Sequence, residues 1–249
     1  MQKSTLLLLL LALASFIPSI STFNTDQLRY PIVRKAYQEK EIPVKNLLAN
    51  QALSSNSLQL YIRAFKQEKE LEIWGRNTSK SSYKLIKTYE ICATSGKLGP
   101  KRKQGDRQIP EGFYHINRFN PASNFHLSLG INYPNKSDRI LSDQSKPGGD
   151  IFIHGNCVTI GCLPMTDDQI KEIYVLCVEA KDGGQNTIPV TIFPFRLTAS
   201  NLKQYTSGLS PSVPTLKLWK ELQQGYILFN QRKKLPSIGF LSSGRHKVE

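Results

Sequence analysis

Residues 150–169, Asp-Ile-Phe-Ile-His-Gly-Asn-Cys-Val-Thr-Ile-Gly-Cys-Leu-Pro-Met-Thr-Asp-Asp-Gln, constrain this chain more than any other stretch. Ile151, Phe152 and Ile153 make a short apolar run of the kind a buried strand uses, and the run ends on His154. In the loop that follows, Gly155 and Gly161 permit tight or left-handed turns. Thr166 then opens a helix, with Gln169 three places on to complete a capping box. Between strand and helix lie Cys157 and Cys162. A thiol becomes a useful nucleophile where an imidazole can take its proton, because the thiolate is the reactive species. His154 and Cys162 are eight positions apart, a span that a folded-back loop closes. A turn at Gly161 would aim the N–H of Cys162 and its neighbours inward as an oxyanion hole. Plainer uses exist for the same residues: free cysteine is among the most buried residue types, and a strand-end histidine is often only a hydrogen-bonded structural group.

On both sides of this stretch the hydrophobic period changes. Residues 24–55 place apolar side chains at helical spacing, with Pro31 and Pro43 each suited to a helix start. From Leu58 the period becomes two. Leu58–Phe65 and Leu71–Trp74 read as a hairpin, and Tyr83–Cys92 as a further strand. Ser95–Arg107 is a glycine-punctuated loop dense in positive charge, either a solvated loop or a lip that draws in an anionic substrate. It lacks the G-x-x-x-x-G-K-[ST] order of a phosphate-binding loop. Ile109–Ile116 reads as a turn leading into a strand, Phe125–Ile131 alternates again, and Asn132–Arg139 breaks the pattern. His115 and His126 fall within strands as packed or exposed residues. Ile170, Ile173, Tyr174 and Cys177 form one apolar helical stripe, which makes Cys177 a core residue. Ile188–Phe193 returns as a strand. Leu216, Trp219, Leu222, Tyr226 and Phe229 then mark a long amphipathic helix, and the tail from Ser237 is polar and expected to fray.

His154-Gly155 at the end of an apolar strand, followed by Thr159-x-Gly161-Cys162-x-x-Met165, resembles the signature of the L,D-transpeptidase (YkuD-like) family. Pro110-Glu111-Gly112-x-Tyr114-x-Ile116 after a Gly-Asp-Arg loop, and the Asn132–Arg139 segment, are similar to the same family in the same order. The spacer between His154 and Cys162 is shorter than the common form, and Ile160 stands where that form has a second histidine. Both departures look like the YafK-like branch. The resemblance covers roughly residues 58–195. It implies a mainly β (α+β), sandwich-like catalytic domain with helical additions at both ends, and divides the chain into 1–21, 22–57, 58–195 and 196–249. By the same resemblance Cys162 is the nucleophile, His154 the base, and the Gly155 carbonyl the orienter of the imidazole, with Gly161 shaping the turn. Tyr133, Arg139 and Thr159 are expected to contact substrate, although Asp138 and Arg139 could instead stabilise their own loop. The implied substrate is a peptidoglycan stem peptide, cleaved at an L-centre followed by a D-residue, with no cofactor and a monomeric enzyme. A wall-attached protein is a further possible partner.

The formal charge of +14 over 249 residues means attraction to something anionic. Lys3, followed by an apolar run of about a dozen residues from Leu6, reads as a signal peptide over 1–21, too short to span a bilayer. An exported, periplasmic protein argues against nucleic acid as partner. An uncleaved anchor is the alternative. Cys92, Cys157, Cys162 and Cys177 allow at most one disulfide if Cys162 stays free, with the pairing open. Two further readings of the catalytic stretch remain. One is a zinc module using His154, Cys157 and Cys162 with Cys177 or Asp150. The other is a wall-binding module without catalysis.

Overall fold

The computed structural model describes residues 22–78 and 81–249. The leader read over 1–21 lies outside the described residues. Among those described, no helix is long and apolar enough to cross a membrane.

The chain begins with α1 (Phe23–Gln27) and α2 (Pro31–Asn50). Pro31 takes the first helical position, where its missing N–H costs nothing. Pro43 does not start a second helix but sits inside α2, on the exposed side, where water can satisfy the carbonyl that loses its partner. Three strands follow, β1 (Gln59–Phe65), β2 (Glu70–Arg76) and β3 (Lys84–Glu90). The polar 66–69 turn makes β1 and β2 the antiparallel hairpin that alternation predicts, with Phe65 opposite Glu70. Then come β4 (Gly112–Ser123), β5 (His126–Ile131), α3 (Lys136–Leu141), β6 (Phe152–His154), β7 (Leu163–Pro164), α4 (Asp167–Asp182) and β8 (Ile188–Phe193). The chain ends with α5 (Ala199–Leu209), α6 (Val213–Arg232), β9 (Ile238–Phe240) and β10 (His246–Val248).

Eight strands join in one mixed sheet in the order β3-β2-β1-β8-β4-β5-β6-β7. The β1–β8 and β6–β7 pairs are parallel and the others antiparallel. The architecture is α+β. Period-two alternation sends successive side chains to opposite faces. Leu60, Ile62 and Ala64 of β1, with Val190 and Ile192 of β8, face α2 and α4 in the larger core. Phe65 and Phe193 face the other way, against Trp219, Leu222 and Tyr226 of α6. Thr166 and Gln169 form the capping box expected at the start of α4.

Two segments differ from the sequence reading. Asn132–Arg139 contains α3, capped by Asn135 with Asp138 in a reciprocal capping box; six residues are too few to show a helical period. The tail from Ser237 does not fray. It forms the β9–β10 hairpin, clamped by Glu221 of α6, which accepts from the backbone N–H and Nδ1 of His246 at 3.0 and 2.8 Å.

A buried ion pair holds the layers in register. Lys66, just past β1, places its ammonium 2.8 Å from Glu111 and also donates to the carbonyls of Lys97, Gly99 and Ile109. Glu111 accepts in turn from the Gly99 N–H at 2.7 Å and from Trp219 Nε1 at 2.8 Å. One carboxylate therefore ties the β1 end, the basic loop and α6. Glu111→Ala would leave a buried ammonium without its counter-charge and should cost about 3–5 kcal/mol, read as a lowered urea midpoint. Glu111→Gln, which keeps an acceptor in place, should cost less.

Candidate active site

The catalytic stretch folds back because two very short strands pair. His154 of β6 lies opposite Ser128 of β5, while Ile153 and His154 pair in parallel with Leu163 and Pro164 of β7. Cys162 is the residue before β7, so this pairing returns it to the strand that carries His154. The Met165 N–H donates to the His154 carbonyl at 2.7 Å and locks the return. Within the loop, Thr159 Oγ1 accepts from the N–H groups of Gly161 and Cys162 at 3.0 and 2.8 Å and donates to the Cys162 carbonyl. Thr159 thus braces the turn that presents Cys162. Gly161 has φ +142°, and a Cβ there would stand 3.1 Å from the Gln108 carbonyl, so no other residue fits easily.

His154 is 3% exposed. Its Nδ1–H donates to the Gly155 carbonyl at 2.6 Å, which leaves Nε2 with the free lone pair. The Phe125 ring packs 4.9 Å from the imidazole. The Gly155 N–H is held by the carbonyls of Phe125 and Leu127, which the positive φ of the intervening His126 helps to aim. A Cβ at position 155 would meet Asp167 Oδ1 at 2.6 Å and the Phe125 carbonyl at 3.0 Å, so a larger residue there forces its neighbours to shift. Burial lowers the His154 pKa below the usual imidazole value, only partly offset by the Gly155 carbonyl. Burial raises the Cys162 thiol, Asp150 adding to the rise, against a backbone hydrogen bond from Phe152 and the Lys101 charge. Burial therefore works against the charged form of both groups, the imidazolium and the thiolate alike.

Cys162 lines two clefts. One, of about 560 Å³, also contains His154, Thr159, Phe125, Phe152, Val158, Ile160 and the amides of Asn120 and Asn124. The other, of about 810 Å³, is bounded by Lys101, Arg107, Lys146 and the 147–149 turn. The basic loop is no loose lip. Asp106 gathers the Lys101 ammonium and the N–H groups of Arg102, Lys103 and Gln108. Burial alone would raise the Asp106 pKa, but these donors hold it below the ordinary carboxylate value.

Cys162, His154, Gly155, Gly161 and Thr159 are brought together in this region, but Tyr133 and Arg139 are not among the residues lining either cleft. Tyr133 is buried and donates its hydroxyl to the Pro147 carbonyl at 2.9 Å, which secures the 147–149 turn from within. Arg139 is exposed on α3. Cys92 and Cys157 form a disulfide across 65 residues, which stitches the catalytic loop to the segment after β3. That bond takes Cys157 out of the proposed zinc set, and Cys177 is fully buried in the core. Cys92 as the partner, Phe125 against the imidazole and Asp167 behind Gly155 were not singled out from sequence. Each depends on chain segments that meet only in the fold.

Two outcomes follow from this geometry. Gly155→Ala should push the orienting carbonyl off Nδ1 and lower kcat/KM by roughly 100-fold with an unchanged circular-dichroism spectrum. Cys157→Ser should lose roughly 2–5 kcal/mol in a denaturant titration, because the cross-link no longer restricts the unfolded chain.

Residues 59–192 match the sequence model of the L,D-transpeptidase catalytic domain, YkuD. YafK of Escherichia coli strain K12, a candidate L,D-transpeptidase by its name, is 36% identical over 191 residues, covering 76% of this chain and 73% of YafK. Among solved structures, the helical cell shape determining protein Pgp2 from Campylobacter jejuni aligns with a TM-score of 0.44 at 18% identity, covering 80% of each chain. Bd1075 of Bdellovibrio bacteriovorus aligns with a TM-score of 0.40 at 20% identity, covering 72% of this chain and 76% of that one. With more than half of its length matched, and its histidine and cysteine inside the matched region, the chain belongs to the L,D-transpeptidase catalytic domain (YkuD) family.

Proposed function

We propose that this chain is an exported cysteine acyltransferase or peptidase that acts on peptidoglycan stem peptides through an acyl-enzyme on Cys162. The observation that carries the reading is the shared cleft of Cys162 and His154, with His154 Nδ1 committed to Gly155 and Nε2 left free. Sγ attacks the carbonyl of an L-centre followed by a D-residue while His154 Nε2 takes the thiol proton. The carbon–nitrogen bond breaks, and the imidazolium returns that proton to the departing amine. An incoming amine or water then attacks the thioester, gives its proton to Nε2 and releases Cys162. The N–H groups of Cys162 and Gly161 are held by Thr159 Oγ1 at rest, so they would serve a developing oxyanion only on leaving that hydroxyl. Export is supported by the apolar leader and by a disulfide, a bond that persists in oxidising compartments. A wall-attached protein is the second partner class the reading accommodates.

The test is mass spectrometry of a purified tetrapeptide muropeptide incubated with the mature protein, with Cys162→Ala in parallel. Loss of the terminal D-residue, or its exchange for an added D-amino acid, is expected only with the unmutated protein. The same products from Cys162→Ala would overturn the assignment. No product from either sample, together with Cys162 alkylating no faster than a solvent thiol, would point to a wall-binding module.

Acid sensitivity supplies a second check. The base must be neutral, and burial depresses its pKa, so more than half of His154 is unprotonated at pH 6.5. The acid limb of kcat/KM should therefore lie below pH 6.5. Phe125→Ala, which opens the imidazole to water, should shift that limb upward. A limb that stays put in Phe125→Ala and lies above 6.5 in the parent would argue against His154 as the base.

A further inference from the structure

The two clefts that meet at Cys162 are chemically unlike, and the imidazole lies in only one of them. His154 lines the 560 Å³ cleft and not the 810 Å³ cleft. In acyl transfer the departing amine takes its proton from the imidazole, and the next nucleophile gives one to it. Both must pass through the His154 cleft. The acyl half of the substrate, on the other side of the scissile carbonyl, would then have the basic cleft to extend along.

The charges of that cleft can be counted. Lys101 is neutralised by Asp106, with which it shares a buried contact. Asp150, on the edge common to both clefts, pairs with Arg118 at 2.9 Å. Arg107 and Lys146 remain, and among the described residues neither has an ion-pair or hydrogen-bond partner for its side chain. Both are held by ordered backbone. The Gln104 N–H donates to the Lys146 carbonyl at 2.8 Å, the Asp143 N–H to the Arg102 carbonyl at 2.8 Å, and Asp106 gathers the turn between them. Arg107 adopts φ +55°, a conformation that is uncommon and costly for a residue with a side chain. The other cleft offers no cation: its polar lining is amides, hydroxyls, His154 and the acidic Asp150.

We infer that Arg107 and Lys146 are specificity-determining residues that read ionised carboxylates on the acyl half of the substrate, so that stems with free side carboxylates are preferred over their carboxamides. The inference rests on the reading of the site as an acyl-transfer centre and adds which half of the substrate carries the negative charge, and where it is held. A planar guanidinium suits a carboxylate in two-point contact, and the lysine adds a second, point-like charge. The imidazole cleft, lacking a cation, places no such demand on the leaving group.

The experiment uses two synthetic tetrapeptide stems that differ only in bearing free side carboxylates or the corresponding carboxamides. Calorimetric titration into full-length Cys162→Ala measures binding without turnover, and kcat and KM are measured on the unmutated protein. Because both cations are exposed and screened, the expected preference is roughly tenfold in Kd and KM, weakening as salt rises. Arg107→Gln with Lys146→Gln should remove the preference by raising KM for the carboxylate stem, with kcat unchanged. Equal affinity of Cys162→Ala for the two stems would overturn the inference, as would a preference that survives in the double variant. Selective binding without turnover of either stem would overturn the acyl-transfer reading and leave the carboxylate site standing.

Discussion

The Glu111 carboxylate is the point on which the layers of this molecule converge. It meets the Lys66 ammonium, the Gly99 N–H and the Trp219 indole, which come from the end of β1, the basic loop and α6. Each of these segments would otherwise leave a polar group stranded away from water, and burial makes an unpartnered charge far more costly than an exposed one. The basic loop is anchored at Gly99 and Ile109, and its middle lies with the 147–149 turn and Cys162 along one cleft. The Gln108 carbonyl lies beside Gly161. The interior of the fold thus sets the wall of the active site.

Cys162 and His154 show the same dependence of chemistry on packing. Burial favours the neutral thiol and the neutral imidazole alike. It thus works against a thiolate–imidazolium pair between them. The protein's contribution is orientation. The Gly155 carbonyl holds the imidazole, Thr159 braces the turn before Cys162, and the Cys92–Cys157 bond ties that loop to the segment after β3.

Much of this was legible before any coordinates. The β1–β2 hairpin, the strand that delivers His154, the Thr166 capping box and the amphipathic α6 all rest on local patterns of side chains, which period and spacing report directly. Residues with more than one possible local role were harder. Pro43 suited a helix start by its fixed φ, yet it rides inside α2 because Val44 and Leu48 beyond it continue the buried stripe. Tyr133 looked like a ligand contact because it sits in a polar break, but its hydroxyl is used by the Pro147 carbonyl. The C-terminal hairpin escaped notice because its strands are three residues each and its clamp, Glu221, belongs to another element.

By itself the sequence determined the α+β alternation and the order of the family's motifs, since each is encoded in neighbouring residues and their spacing. Tertiary structure alone decided which cysteine bridges Cys157 and which side of Cys162 is basic. Those outcomes are contacts between segments tens of residues apart, such as Cys92 with Cys157 and Gln104 with Lys146. No local pattern can report them, because they exist only once burial and the sheet's register have brought the segments together.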